Sequence, residues 1–120
     1  MTTIMVVTQS FLAAHPTVVE DLLKAQIQAN DFIKSDPTTA QTDANAELGS
    51  FTGKPLKASV VAAAWKEITF TNDPDESSLT TDASQAVSLG LLKPVNLKGI
   101  FDLDPLNKAL AAAGESQVSS

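Results

Sequence analysis

From Ile4 to Thr8 the chain runs apolar and β-branched without a break, the pattern of a short strand buried on both faces. Beyond it the period changes to that of a helix. Ser10 is placed to cap a short turn through Phe11, Leu12, Ala13 and Ala14, and His15-Pro16 then opens a long helix with proline in its first turn. There Val18, Val19, Leu22, Leu23, Ala29, Phe32 and Ile33 recur at three- and four-residue steps and predict one core-facing stripe. Asp36-Pro37 repeats the cap-plus-proline start, with Ala40, Ala44 and Leu48 forming a thin stripe expected to stop at Gly49. Pro55 opens a third helix whose stripe is Leu56, Val60, Val61, Ala64 and Ile68, with Trp65 beside it. Ile68-Thr69-Phe70-Thr71 alternates apolar with polar, the period of a second short strand. A turn at Asn72-Asp73-Pro74 leads into a helix sharing Leu79, Ala83, Ala86 and Val87 on one face and stopping at Gly90. An extended connector from Lys93 to Gly99 precedes a last helix, capped by Asp102 or Asp104, that carries Leu106, Ala109, Leu110 and Ala113 and ends at Gly114.

The elements sum to a mainly α chain with one or two short strands, an α+β class, forming a single unit over residues 1–114 with a flexible tail at 115–120. Two isolated short strands cannot satisfy their own backbone groups. The sheet they belong to is therefore expected to lie outside this chain.

Charge narrows the partners. The formal net charge is -6, and all eight basic side chains are lysine. An acidic surface repels a phosphate backbone, so no nucleic-acid partner is expected. Without arginine there is no guanidinium fork to clamp a carboxylate, sulfonate or phosphate, so the charge partner of any bound oxyanion must be found elsewhere. Cysteine is absent, which removes thiol catalysis, disulfides and thiolate metal sites. No apolar run reaches the roughly 20 residues that span a bilayer, and the residues from Met1 to Val7 lack the basic and apolar regions of an export signal.

Candidate chemistry is sparse. His15 is the single histidine and stands just before a proline, where a polar ring is ordinary punctuation; no HExxH spacing or GxSxG elbow accompanies it. Asp73/Asp75 and Asp102/Asp104 could act as paired carboxylates or hard-cation ligands, but each pair straddles a helix start, where aspartate caps, and neither fits a calcium loop. No metal, cofactor or catalytic residue is expected, and no enzyme. Trp65 either fills the interface between a helix and a sheet or packs on a ligand's apolar body. Thr69, Thr71 and Asn72 are where hydroxyl and amide groups directly follow a strand, a place where α/β folds present polar groups to ligands. Trp65, Thr69, Thr71 and Asn72 are thus the candidate ligand contacts.

Four segments, in order, carry a resemblance: Thr3-Ile4-Met5-Val6-Val7-Thr8 with Phe11-Leu12 and His15-Pro16-Thr17-Val18-Val19; Trp65-Lys66-Glu67-Ile68-Thr69-Phe70-Thr71-Asn72-Asp73-Pro74; Ala86-Val87-Ser88-Leu89-Gly90-Leu91-Leu92; and Gly99-Ile100-Phe101-Asp102-Leu103-Asp104-Pro105-Leu106-Asn107. Together they resemble the C-terminal third of the sulfonate, taurine and nitrate group of solute-binding proteins of ATP-binding-cassette importers. The resemblance implies the C-terminal portion of a type II periplasmic-binding-protein α/β fold, with Met1 where the chain returns from the second lobe. It further implies a small anionic or zwitterionic solute as ligand, a membrane permease as partner, and a periplasmic or surface-anchored parent. An enzyme of the pyrimidine-synthesising branch that shares this fold is a further reading, which nothing in these residues supports. The alternative is a small helical interaction module without a small-molecule site, self-associating through strand edges at Ile4 to Thr8 and Ile68 to Thr71.

Overall fold

The computed structural model describes residues 3–119. The described residues fold as six helices: α1 (Gln9–Ala14), α2 (Pro16–Ser35), α3 (Pro37–Thr52), α4 (Ala58–Trp65), α5 (Glu76–Ser88) and α6 (Asp104–Ala113). Residues 1, 2 and 120, and with them the expected place of Met1 and the outer bounds of the expected unit and tail, lie outside the described residues.

No strand forms among the described residues, which overturns both the α+β class and the implied periplasmic-binding-protein α/β fold. The reason is the one that made the strands doubtful as isolated elements: a strand is stable only against a partner, and neither segment finds one. Residues 3–7 carry no regular structure, and Thr8 instead caps α1, its hydroxyl accepting from the Phe11 N–H at 3.1 Å. Ile68 closes a turn onto the Trp65 carbonyl, and residues 69–71 continue without a ladder. The strand edges invoked for self-association are therefore absent as well.

Helix starts follow local chemistry. Asp36 caps α3 through the Thr39 N–H at 3.1 Å and hydroxyl at 2.7 Å, with Pro37 in the first turn. Asp75 caps α5 through the Ser78 N–H at 3.1 Å, and Pro105 sits in the first turn of α6. Helix ends differ more. α3 runs past Gly49 to Thr52, where Gly53 takes the left-handed conformation (φ 79°), and Pro55 precedes α4 without joining it.

The fold divides into two compact bodies. The first comprises the chain through Ala25 and from Asp73 onward; the second is Gln26–Asn72. α2 contributes its first half to one and its second half to the other. In the first body the core is Val19 with Leu106, Ala109 and Leu110 of α6, and Lys108 donates to Glu20 on the surface. In the second body α3 packs on α4, and the buried residues are Ile27, Asn30 and Ala40. The buried stripe of α2 is thus Val19, Ile27 and Asn30, while Val18, Leu22 and Phe32, expected in the core, stay exposed. Among the described residues no helix is long and apolar enough to cross a membrane.

Candidate functional site

The second body holds the four candidate ligand contacts, and it distributes them between two places. Trp65, at the end of α4, lies half-buried with its ring 4.9 Å from that of Phe70 and tilted 41° to it. Trp65 also lines a shallow apolar groove of about 120 Å³ between α3 and α4, shared with Leu48, Leu56, Val61, Ala64 and Ile68. Thr69 lies exposed. Thr71 and Asn72 belong to a separate polar cluster around Asn30.

At the centre of that cluster stands the one polar residue that is buried among the described residues. Asn30 is only 2% exposed. Its amide nitrogen donates to the Thr71 carbonyl at 3.2 Å and to Asn72 Oδ1 at 2.6 Å, while its Oδ1 accepts from Gln26 Nε2 at 3.2 Å. A buried amide is costly unless paired, and here both ends of the group are used. The cluster ties the second half of α2 to the segment that follows α4, and by engaging Asn72 it spends on the fold a side chain read from the sequence as a ligand contact.

Two more asparagines act on backbone. Asn45 of α3 accepts from the Leu56 N–H and donates to the Leu56 carbonyl, both at 2.9 Å. Asn107 of α6 accepts from the Val118 N–H at 2.8 Å and donates to the Val118 carbonyl at 3.0 Å. Sequence reasoning missed Asn30, Asn45 and Asn107. The available signal was asparagine standing inside a helix, where its intrinsic propensity is poor and a tertiary bond is the usual compensation.

The carboxylate pairs build turns. Asp73 Oδ1 accepts from the Asp75 N–H at 2.8 Å, and Asp102 Oδ1 accepts from the Asp104 N–H at 3.2 Å. The Ser77 hydroxyl and then the Ser78 N–H hold the Asp75 carboxyl below the usual carboxylate range, and the Thr39 hydroxyl and N–H do the same for Asp36. Asp75 takes a left-handed conformation (φ 51°), a state aspartate tolerates better than most residues. His15 ends α1 with its ring 5.0 Å from that of Phe11. Among the described residues no group of three or more histidine, aspartate or glutamate side chains is placed to hold a metal ion. No family model, curated protein or solved structure matches the chain.

Proposed function

We propose that these 120 residues are a helical segment of the solute-binding component of an ATP-binding-cassette importer, of the group that takes up sulfonates, taurine, nitrate or related small metabolites. The parent captures a small anionic or zwitterionic solute outside the cytoplasm and delivers it to a membrane permease. Its task is binding, without bond breaking. The four ordered segments described above support the family.

The observation that carries the reading is surface area. A compact monomer of 12.6 kDa exposes about 6,200 Å², and two separate compact bodies of the sizes seen here about 7,500 Å². This chain exposes 8755 Å². The excess over even the separated bodies is about the area that one or two standard protein–protein interfaces cover on a single partner. Much of it is apolar: Val6, Phe51, Leu89 and Leu91 are each more than 70% exposed. Such a surface is what a segment of a larger protein presents when the rest is taken away. With Asn72 engaged by Asn30 and no arginine in the chain, the polar groups that hold the solute's charge are assigned to residues of the parent beyond this segment.

The test uses the polypeptide that carries these residues in its native cell, captured with an antibody to this chain. Melted against taurine, alkanesulfonates and nitrate, it is expected to show a solute-specific rise in Tm that the isolated 120-residue chain does not show. A native polypeptide indifferent to all of them sinks the importer reading. The exposed apolar surface also favours a second reading, a helical module that covers itself by association. A single symmetric dimer in sedimentation, with no mixture of larger species, would support that reading over the first.

A further inference from the structure

The two backbone-reading asparagines share a plan. In each case a helix ends at a left-handed glycine, Gly53 at φ 79° or Gly114 at φ 77°, and the chain then doubles back along the helix it has just left. An asparagine about two turns upstream grips both backbone groups of the residue eleven positions further on, Asn45 for Leu56 and Asn107 for Val118. The lengths agree. Asn107 to Gly114 rises about 10 Å along α6. Four extended residues from Gly114 to Val118 reach at most about 14 Å, enough to run back antiparallel to it. In the second body the gripped residue leads directly into α4, so the clasp there is a permanent corner. In the first body it holds a segment without regular structure, residues 115–119, which starts with the Glu115 N–H bonded to the Leu110 carbonyl at 2.9 Å.

We propose that residues 115–119 form a strap closed over α6, with Asn107 as its latch, and that opening the latch bares the apolar face formed by Leu106, Ala109 and Leu110. Asn107 and Leu110 are three residues apart and so neighbours on one side of α6, and a strap that leaves from the Leu110 carbonyl and is gripped by Asn107 runs beside that edge of the face. Those three α6 residues are half of the apolar residues buried among the described residues, so what covers them matters to the core of the first body. The latch is a neutral amide and reads only backbone. An extended segment from another chain could therefore take the place of Val118 without matching its side chain. This inference goes beyond the solute-binding reading and does not depend on it.

The test is amide hydrogen exchange at Val118 in the full chain, together with binding of an apolar dye. In the unaltered protein the Val118 amide is expected to be protected. Asn107→Ala should speed its exchange by roughly tenfold or more and raise dye binding, with helical circular dichroism unchanged. Should Asn107→Ala unfold the first body, Val118→Pro weakens the latch from the other side, removing the N–H half of the grip without a change in α6. It should release residues 115–119 to the fast-motion regime in NMR relaxation. Exchange at Val118 at the free-peptide rate in the unaltered protein overturns the proposal, as does a Val118→Pro variant whose tail stays as ordered as before.

Discussion

Replacing Asn30 by alanine removes three hydrogen bonds at once from a site 2% exposed. Each is worth about 0.5–1.5 kcal/mol net, and the Thr71 carbonyl and the Asn72 amide each lose a partner at a part-buried site, so the expected loss is about 2–3 kcal/mol. That is large on the scale of the body it belongs to. At roughly 0.05–0.15 kcal/mol per residue, the 47 residues from Gln26 to Asn72 hold about 2–7 kcal/mol in all. Trp65 is the single tryptophan and lies in this body, so its fluorescence in a urea titration follows the affected part while circular dichroism follows every helix. The Trp65 transition should move to markedly lower urea in Asn30→Ala. Asn30→Asp sharpens the test, because it keeps the acceptor for Gln26 but sets a carboxylate against two oxygens in a buried site. Burial and those oxygens push the new carboxyl's pKa up in the folded state, so this variant gains stability as pH falls through that raised value. A loss below about 0.5 kcal/mol in Asn30→Ala, or an Asn30→Asp variant that weakens on acidification like the parent, would refute the reasoning.

Ile27→Ala, at a side chain 1% exposed, should cost about 2–4 kcal/mol in the same Trp65 assay. Gly49→Ala tests a close approach: inside a helix the change normally gains up to about 1 kcal/mol, but a β-carbon there meets the Pro55 backbone nitrogen at 3.0 Å, so the expected result is a net loss in Tm. Acid should destabilise the protein through its caps. Asp36 and Asp75 are held below their ordinary 3.8 when folded, so the stability they add is present above that value and is lost as pH falls through the lower folded values. Thermal melts from about pH 5 to pH 2 should show this fall, and Asp36→Asn and Asp75→Asn, which keep a capping oxygen but do not titrate, should flatten it.

The helix starts were legible because their causes are local. Asp36-Pro37 sets φ and supplies an acceptor within three residues, and the glycine at 114 stops α6 where the pattern placed it; the cap expected of Asp102 or Asp104 does not form, since Leu103 stands at the start of α6 and Asp102 accepts only from the Asp104 N–H. The two strands were misread because a β-branched run fixes only what a segment could become. From 4 to 8 and from 68 to 71 that depends on a neighbour, and none is present among the described residues. The stripe on α2 was read correctly at Val19 and misplaced elsewhere, for a related reason. Val18, Leu22 and Phe32 have the right spacing for a buried face, yet the face chosen by packing is that of Val19, Ile27 and Asn30, and periodicity alone gave a polar Asn30 no place in it. At the candidate site, Trp65 and Asn72 fell in structured surroundings, but their partners, Phe70 and Asn30, are set by chain returns that no local pattern encodes.

The central claim is that these residues belong to a larger exported solute-binding protein that covers their exposed apolar surface. Its most direct test is the intact mass of the polypeptide captured from native cells by an antibody to this chain, measured separately on the exported and cytoplasmic fractions. A species well above 12.6 kDa in the exported fraction is the expected result. A 12.6 kDa species confined to the cytoplasm would contradict it.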